Sequence, residues 1–200
     1  MKTPSQPKRR AILDAARQAF LAKGYSGASM EAIAEAAPVS KPTLYSHFGG
    51  KHELFVAVIA DQCQSLFSAL SEAPLAQADP VAGLKAIAHA FVDLLYAEES
   101  LALYRLLIAE HACFPELGRK VYEASAVPMI ELLSDYLVKL DRRGLLAIDD
   151  ADMSGRLLLG MLQGVKYFRC LMGLQGGLSD PEKQHLVDSA VELFLGGHRP

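Results

Sequence analysis

Pro42, Thr43, Tyr45 and Ser46 put hydroxyls, a ring and a methyl group within one short stretch, and Lys41, His47 and Lys51 stand at its edges. Such groups donate and accept hydrogen bonds and pair with anions, which is the chemistry of contacts to base edges and phosphates in a DNA major groove. Bond-making chemistry has no comparable foothold. No paired acid and base, no Ser or Cys beside a His with an orienting group, and no phosphate loop can be picked out, so enzymatic activity is not expected. Glu110, His111 and Cys113 are close in sequence, but positions i, i+1 and i+3 of a helix do not share one face, and no second cluster completes a metal site. No metal or other cofactor is expected.

To meet a groove, these residues need a short helix and a second element to hold it. Met30, Ile33, Ala34 and Ala37 recur at helical intervals behind Ser29, a suitable N-cap. Pro38 pushes the residue before it out of the helical region, so this first helix should end at about Ala36 or Ala37. After a turn, Ser40 can cap a second helix running from about 41 to 48, and Pro42 is tolerated in its first turn, where N–H groups have no intrahelical partner. Leu44 and Phe48 share one side and, with Val39 in the turn, can bury against the first helix. The polar residues then face outward, as in a helix-turn-helix.

On these residues the chain resembles the TetR family of one-component transcriptional regulators. The resemblance is carried by Ile33-Ala34, Val39-Ser40-Lys41, Thr43-Leu44-Tyr45, His47-Phe48, Lys51 and Leu54-Phe55. It begins with a first-helix pattern at Ile12, Ala15, Ala16, Phe20, Gly24 and Tyr25. It implies that Ser29, Ser40, Lys41, Pro42, Thr43, Tyr45, Ser46, His47 and Lys51 contact DNA, mostly at phosphates, with a minority reading bases. Pro38 departs from the pattern, which usually has Gly there. A proline cannot readily take the positive φ that Gly supplies, so a reshaped turn is expected.

The charge is divided along the chain. The net −3 looks unsuited to DNA, yet residues 1–51 hold eight Lys or Arg against three acids, or +5, while the remainder holds twelve against twenty, or −8. One end therefore attracts phosphates while the rest repels them, which orients the approach. No apolar run nears the ~18 residues of a membrane span, and no apolar stretch follows the charges at Lys8, Arg9 and Arg10, so a soluble cytoplasmic protein is expected. Cys63, Cys113 and Cys170 are odd in number and lack CxxC spacing, which argues against a disulfide framework.

From Lys51 onward the pattern is helical almost throughout, giving an all-α fold of about nine helices. A long fourth helix is expected over 51–72 on the stripe Leu54, Phe55, Val58, Ile59, Gln62, Leu66 and Leu70. A loop over 74–80 follows, and Asp79 and Pro80 open a fifth helix with Leu84, Ile87, Phe91, Leu94 and Leu95 inward. A sixth helix is expected over 101–113, and a long seventh over 115–143, bent near Pro128 and ended by Gly144. Asp149, Asp150 and Asp152 suit the start of an eighth helix reaching about 174. Ser179 and Glu182 form a capping box for a ninth with the stripe Leu186, Val187, Ala190, Val191 and Phe194. Gly160 and Gly164, one turn apart, allow two helices to approach closely. The TetR resemblance implies a homodimer through these last two helices; the alternative is that both stripes bury inside one subunit. The later part of the chain also resembles the AefR-like C-terminal subgroup.

The expected organisation is a three-helix DNA-binding head over 1–51, joined by the fourth helix to a larger ligand-binding and dimerisation domain over 52–200. The expected protein is an effector-responsive regulator, most simply a repressor, on a near-palindromic double-stranded operator. A mainly apolar pocket is expected between the fourth and eighth helices. His89, Tyr104, Arg105, His111, Tyr167 and Arg169 are the candidate contacts to an unidentified small molecule.

Overall fold

The computed structural model describes residues 6–72 and 79–200, with side chains described for 6–63 and 79–200. Among them nine helices form and no strand: α1 (Gln6–Gly27), α2 (Met30–Ala36), α3 (Lys41–Phe48), α4 (Lys51–Glu72), α5 (Pro80–Leu95), α6 (Glu98–Glu110), α7 (Pro115–Arg142), α8 (Ala151–Leu171) and α9 (Asp180–Gly197). The side chains of Leu66 and Leu70, and the connection expected over 74–80 as far as 78, lie outside the described residues. No single described helix is long and apolar enough to cross a membrane.

Packing divides the chain into two compact units, Met1–Gln62 with Ala102–Ser125, and Cys63–Leu101 with Ala126–Pro200. In the first unit Ile12, Ala16 and Phe20 of α1, Ile33 and Ala34 of α2, Leu44 and Phe48 of α3, and Leu54, Phe55 and Val58 of α4 bury together. Leu103, Leu117 and Val121 from the second stretch join the same core. Aromatic rings fill its centre, with Phe20 edge-on to Phe55 at 5.0 Å and Tyr25 edge-on to Phe114 at 5.1 Å, geometries that the ring quadrupole favours. Gly24, at φ +73°, breaks the regular part of α1 so that Tyr25 can turn into this cluster.

The second unit buries Leu84, Ile87 and Ala88 of α5, Leu133 and Leu137 of α7, Leu158 and Leu162 of α8, and Val187, Val191 and Phe194 of α9. Helices α5 and α7 pass closely at Gly83, where an added Cβ would clash with Tyr136 Oη. The capping box expected at the start of α9 is present, with Ser179 N 3.0 Å from Glu182 Oε2.

Three local expectations need correction. Helix α6 begins at Glu98 rather than 101, because Glu98 and Glu99 complement the positive end of the helix and extend it by a turn, and it stops at Glu110 rather than 113. Helix α8 ends at Leu171, short of 174. Gly164, expected only to be small, is also a break in α8, at φ +51°, ψ −167°. The carbonyls released near it are not left bare: buried Tyr96 donates its hydroxyl to Gln163 O at 2.7 Å and Leu162 O at 3.2 Å.

The α2–α3 turn closes through a backbone hydrogen bond that spans Pro38. Val39 N–H reaches back to Ala34 O at 3.0 Å, the long bond of a Schellman ending, which puts Pro38 at the left-handed position with φ +25°. The ring favours φ near −65° and supplies no N–H for the second bond of that motif. Pro38→Gly should therefore stabilise the protein by about 1–2 kcal/mol, the relieved strain less the added freedom of the unfolded chain. A thermal melt should show Tm higher by several degrees, and an unchanged or lower Tm would refute the strain.

Candidate nucleic-acid interface

Helix α3 is held from within and polar without. Leu44 is fully buried and Phe48 nearly so, while Lys41, Pro42, Tyr45 and Ser46 are exposed. The start of the helix is fixed by Ser40, whose hydroxyl accepts from Thr43 N–H at 3.3 Å and lies 2.8 Å from Thr43 Oγ1. Ser46 donates to Thr43 O at 2.9 Å, and the half-buried His47 ring stacks on Phe48. Tyr45, 41% exposed, presents its ring outward. Ser29 caps α2 by accepting from Ala32 N–H at 3.2 Å and is itself exposed, so the starts of both helices carry a hydroxyl.

The two lysines of the site differ. Lys41 lies in the open on the first turn of α3 and pairs with Glu31 of α2. Lys51 is half-buried, 4.7 Å from the Tyr25 ring centroid, and donates to Ser26 O at 3.1 Å, which ties the start of α4 to the last turn of α1. Burial pushes its ammonium below the usual lysine range. The same turn is held from α6, where the Glu110 carboxylate accepts from the Ser26 hydroxyl at 3.0 Å and 3.1 Å. Burial, helped by nearby carboxylates, pushes Tyr25 up to about 12, so its ring is a neutral platform for Lys51.

Other cations of the head are already sorted by their partners. Arg10 bonds Asp14 and Asp61 at 3.2 Å and 3.1 Å, and Arg17 shares both carboxylates. Arg9 instead lies 5.6 Å from the Phe48 ring centroid, beside the end of α3. Sequence spacing could not pair Arg9 with Phe48 or Lys41 with Glu31, because neither pair sits on one helix.

The six candidate ligand contacts are spread over both units. Tyr104, Arg105 and His111 belong to the first and His89, Tyr167 and Arg169 to the second. His89, Tyr104, Arg105 and Tyr167 are half-buried, whereas His111 and Arg169 are exposed, with Arg169 bonded to Gln175. A cleft of about 290 Å³ between α5 and α9 is lined instead by Val81, Lys85, Asp188, Val191, Glu192 and neighbours.

Comparison with known proteins gives this geometry its context. Residues 12–58 match the profile described as bacterial regulatory proteins of the tetR family, and residues 82–199 match that of the AefR-like transcriptional repressor C-terminal domain. A crystal structure of a TetR-family transcriptional regulator from Mesorhizobium loti is 33% identical, superposes with a TM-score of 0.84 and is covered in full by this chain, itself covered in full. The chain belongs to the TetR family. Its helix pair α2–α3 falls within the stretch that matches the family's N-terminal profile. The flavonoid-responsive regulator FrrA is 30% identical over 96% of this TetR-family chain and 97% of its own, with a TM-score of 0.76. The transcriptional activator FasR of Mycolicibacterium smegmatis is 34% identical over 62% of the chain, a match that spans 56% of the activator's length.

Proposed function

We propose that this regulator is a cytoplasmic homodimer that represses from a near-palindromic operator and is released by a small-molecule effector. The observation that carries the reading is an uncovered apolar face on α8. Met153 and Leu157 lie one turn apart before the break at Gly164, Val165, Phe168 and Met172 repeat at intervals of three and four after it, and all five are exposed, with Val165 at 76% and Leu193 of α9 at 70%. Gly160 and Gly164 lie between these two sets, and a Cβ at either would meet nothing within 4 Å, leaving room for a second backbone. An apolar face of this extent on a water-borne domain fits a subunit interface.

Two copies would place two α3 helices about 34 Å apart, so that both enter the major groove on one side of the duplex. Ser29, Ser40, Lys41, Pro42, Thr43, Tyr45, Ser46 and His47 then meet the DNA, and Lys51 serves a phosphate while bracing the turn at Ser26. An effector that prefers a different spacing of the heads lowers operator occupancy by its difference in affinity for the two states. His89, Tyr104, Arg105 and Tyr167, half-buried, are the proposed effector contacts. The repressor profile over 82–199 supports repression, and the flavonoid-responsive relative supports a largely apolar effector.

Selection of bound fragments from random duplex DNA tests this reading. The expected product is an inverted repeat whose half-site centres lie about one helical turn, or a multiple of it, apart. A bound pool no different from the input would refute it.

A further inference from the structure

We propose that Glu31 is an internal stand-in for a DNA phosphate, holding Lys41 on the free protein and releasing it when α3 meets DNA. The inference rests on the DNA-binding reading above and adds a brake to it. Lys41 is the lysine carried by the recognition helix itself, and its Nζ is engaged by Glu31 Oε1 from the first turn of α2. Both side chains are about half exposed, at 51% and 61%, so the partner that Lys41 holds can be exchanged without any rearrangement of the core. Lys41 keeps the Glu31 carboxyl below its usual range, and Glu31 keeps the Lys41 ammonium above its own, so both charges persist through the neutral range.

A carboxylate on this face has two consequences. It lends Lys41 an anion that any phosphate must replace, and exposed ion pairs are weak enough to be replaced. Once Lys41 has left, Glu31 remains beside the phosphates as an unpaired negative charge. Both effects act on every DNA sequence alike, because neither involves a base. They lower the sequence-independent binding that would otherwise occupy the regulator on the competing sites of a genome. The alternative role of Glu31 is to favour the positive end of α2, a contribution to helix stability and not to affinity.

The test measures affinity by fluorescence anisotropy, for a random duplex and for the selected operator, with the wild type, Glu31→Gln, Lys41→Met and the double variant. Glu31→Gln should tighten binding to both duplexes by the same factor, about twofold to fivefold, the scale of one exposed charge pair. In the Lys41→Met background the gain should fall to less than half of that factor. Unchanged affinity with a lowered Tm would assign Glu31 to the helix end and overturn the proposal. So would an undiminished gain without Lys41, or a loss confined to particular base pairs. A wild type that binds no duplex at all would overturn the DNA-binding reading as well, whereas normal wild-type binding with no response to Glu31→Gln overturns this inference alone.

Discussion

Val165→Glu combined with Phe168→Glu should yield a folded monomer whose affinity for the selected operator falls by about 100-fold or more, the factor by which two linked half-site contacts exceed one. Both side chains are exposed on α8, so the free subunit tolerates carboxylates there and its helical content should be unchanged. In the proposed dimer the same positions meet a second copy. Two carboxylates per subunit would then lose water against an apolar surface with no cation supplied, a cost that the interface cannot offset. Sedimentation at micromolar protein reads the oligomer, and anisotropy reads the affinity. Binding to random duplex should fall less, because a single head still meets phosphates. A variant that stays dimeric with full operator affinity would remove α8 from the interface.

The second large effect is on the head itself. Leu44→Ala removes a fully buried side chain that fastens α3 to the core made by α1, α2 and α4, and should cost about 2–5 kcal/mol in lost transfer energy and an unfilled cavity. That is a large share of the ~5–15 kcal/mol that holds a typical domain together. Operator affinity should fall with it, because α3 keeps its Ser40 cap but loses its inner support. Amide exchange should quicken first in α2 and α3, and the melting curve should move down or split. Leu44→Met, close in volume, should cost under about 1.5 kcal/mol and retain binding. Equal stability of Leu44→Ala and the wild type would show that α3 is held by its caps and not by its core.

These two sites illustrate what a single chain makes legible. The α2–α3 pair could be read directly, since Ser29 and Ser40 are caps, Pro42 is placed where a first turn accepts it, and Leu44 and Phe48 repeat at the helical interval. Each signal is local, so no tertiary knowledge is needed. The start of α6 is equally local, since Glu98 and Glu99 suit the positive end of a helix, but the apolar spacing by itself begins at Leu101. The break at Gly164 is of another kind. A glycine inside a helical pattern looks like a small residue, and its backbone conformation is matched by the Tyr96 hydroxyl, far away in the chain. Gly83 beneath Tyr136 is hidden for the same reason. In the binding face the residue types were visible, while the allotment of cations was not: Lys41 to Glu31, Lys51 to Tyr25 and Ser26, and Arg10 to Asp14 and Asp61 are all settled between elements.

The head's core is assembled from two stretches of chain, with Leu103, Leu117 and Val121 closing over side chains that precede residue 62. A gene fusion with one breakpoint after residue 62 would therefore transfer α2 and α3 and leave behind part of what they pack against. An engineer wishing to move this head onto another sensor needs two junctions, carrying 102–125 along with 1–62, or must redesign the ring cluster around Tyr25 to suit its new neighbours.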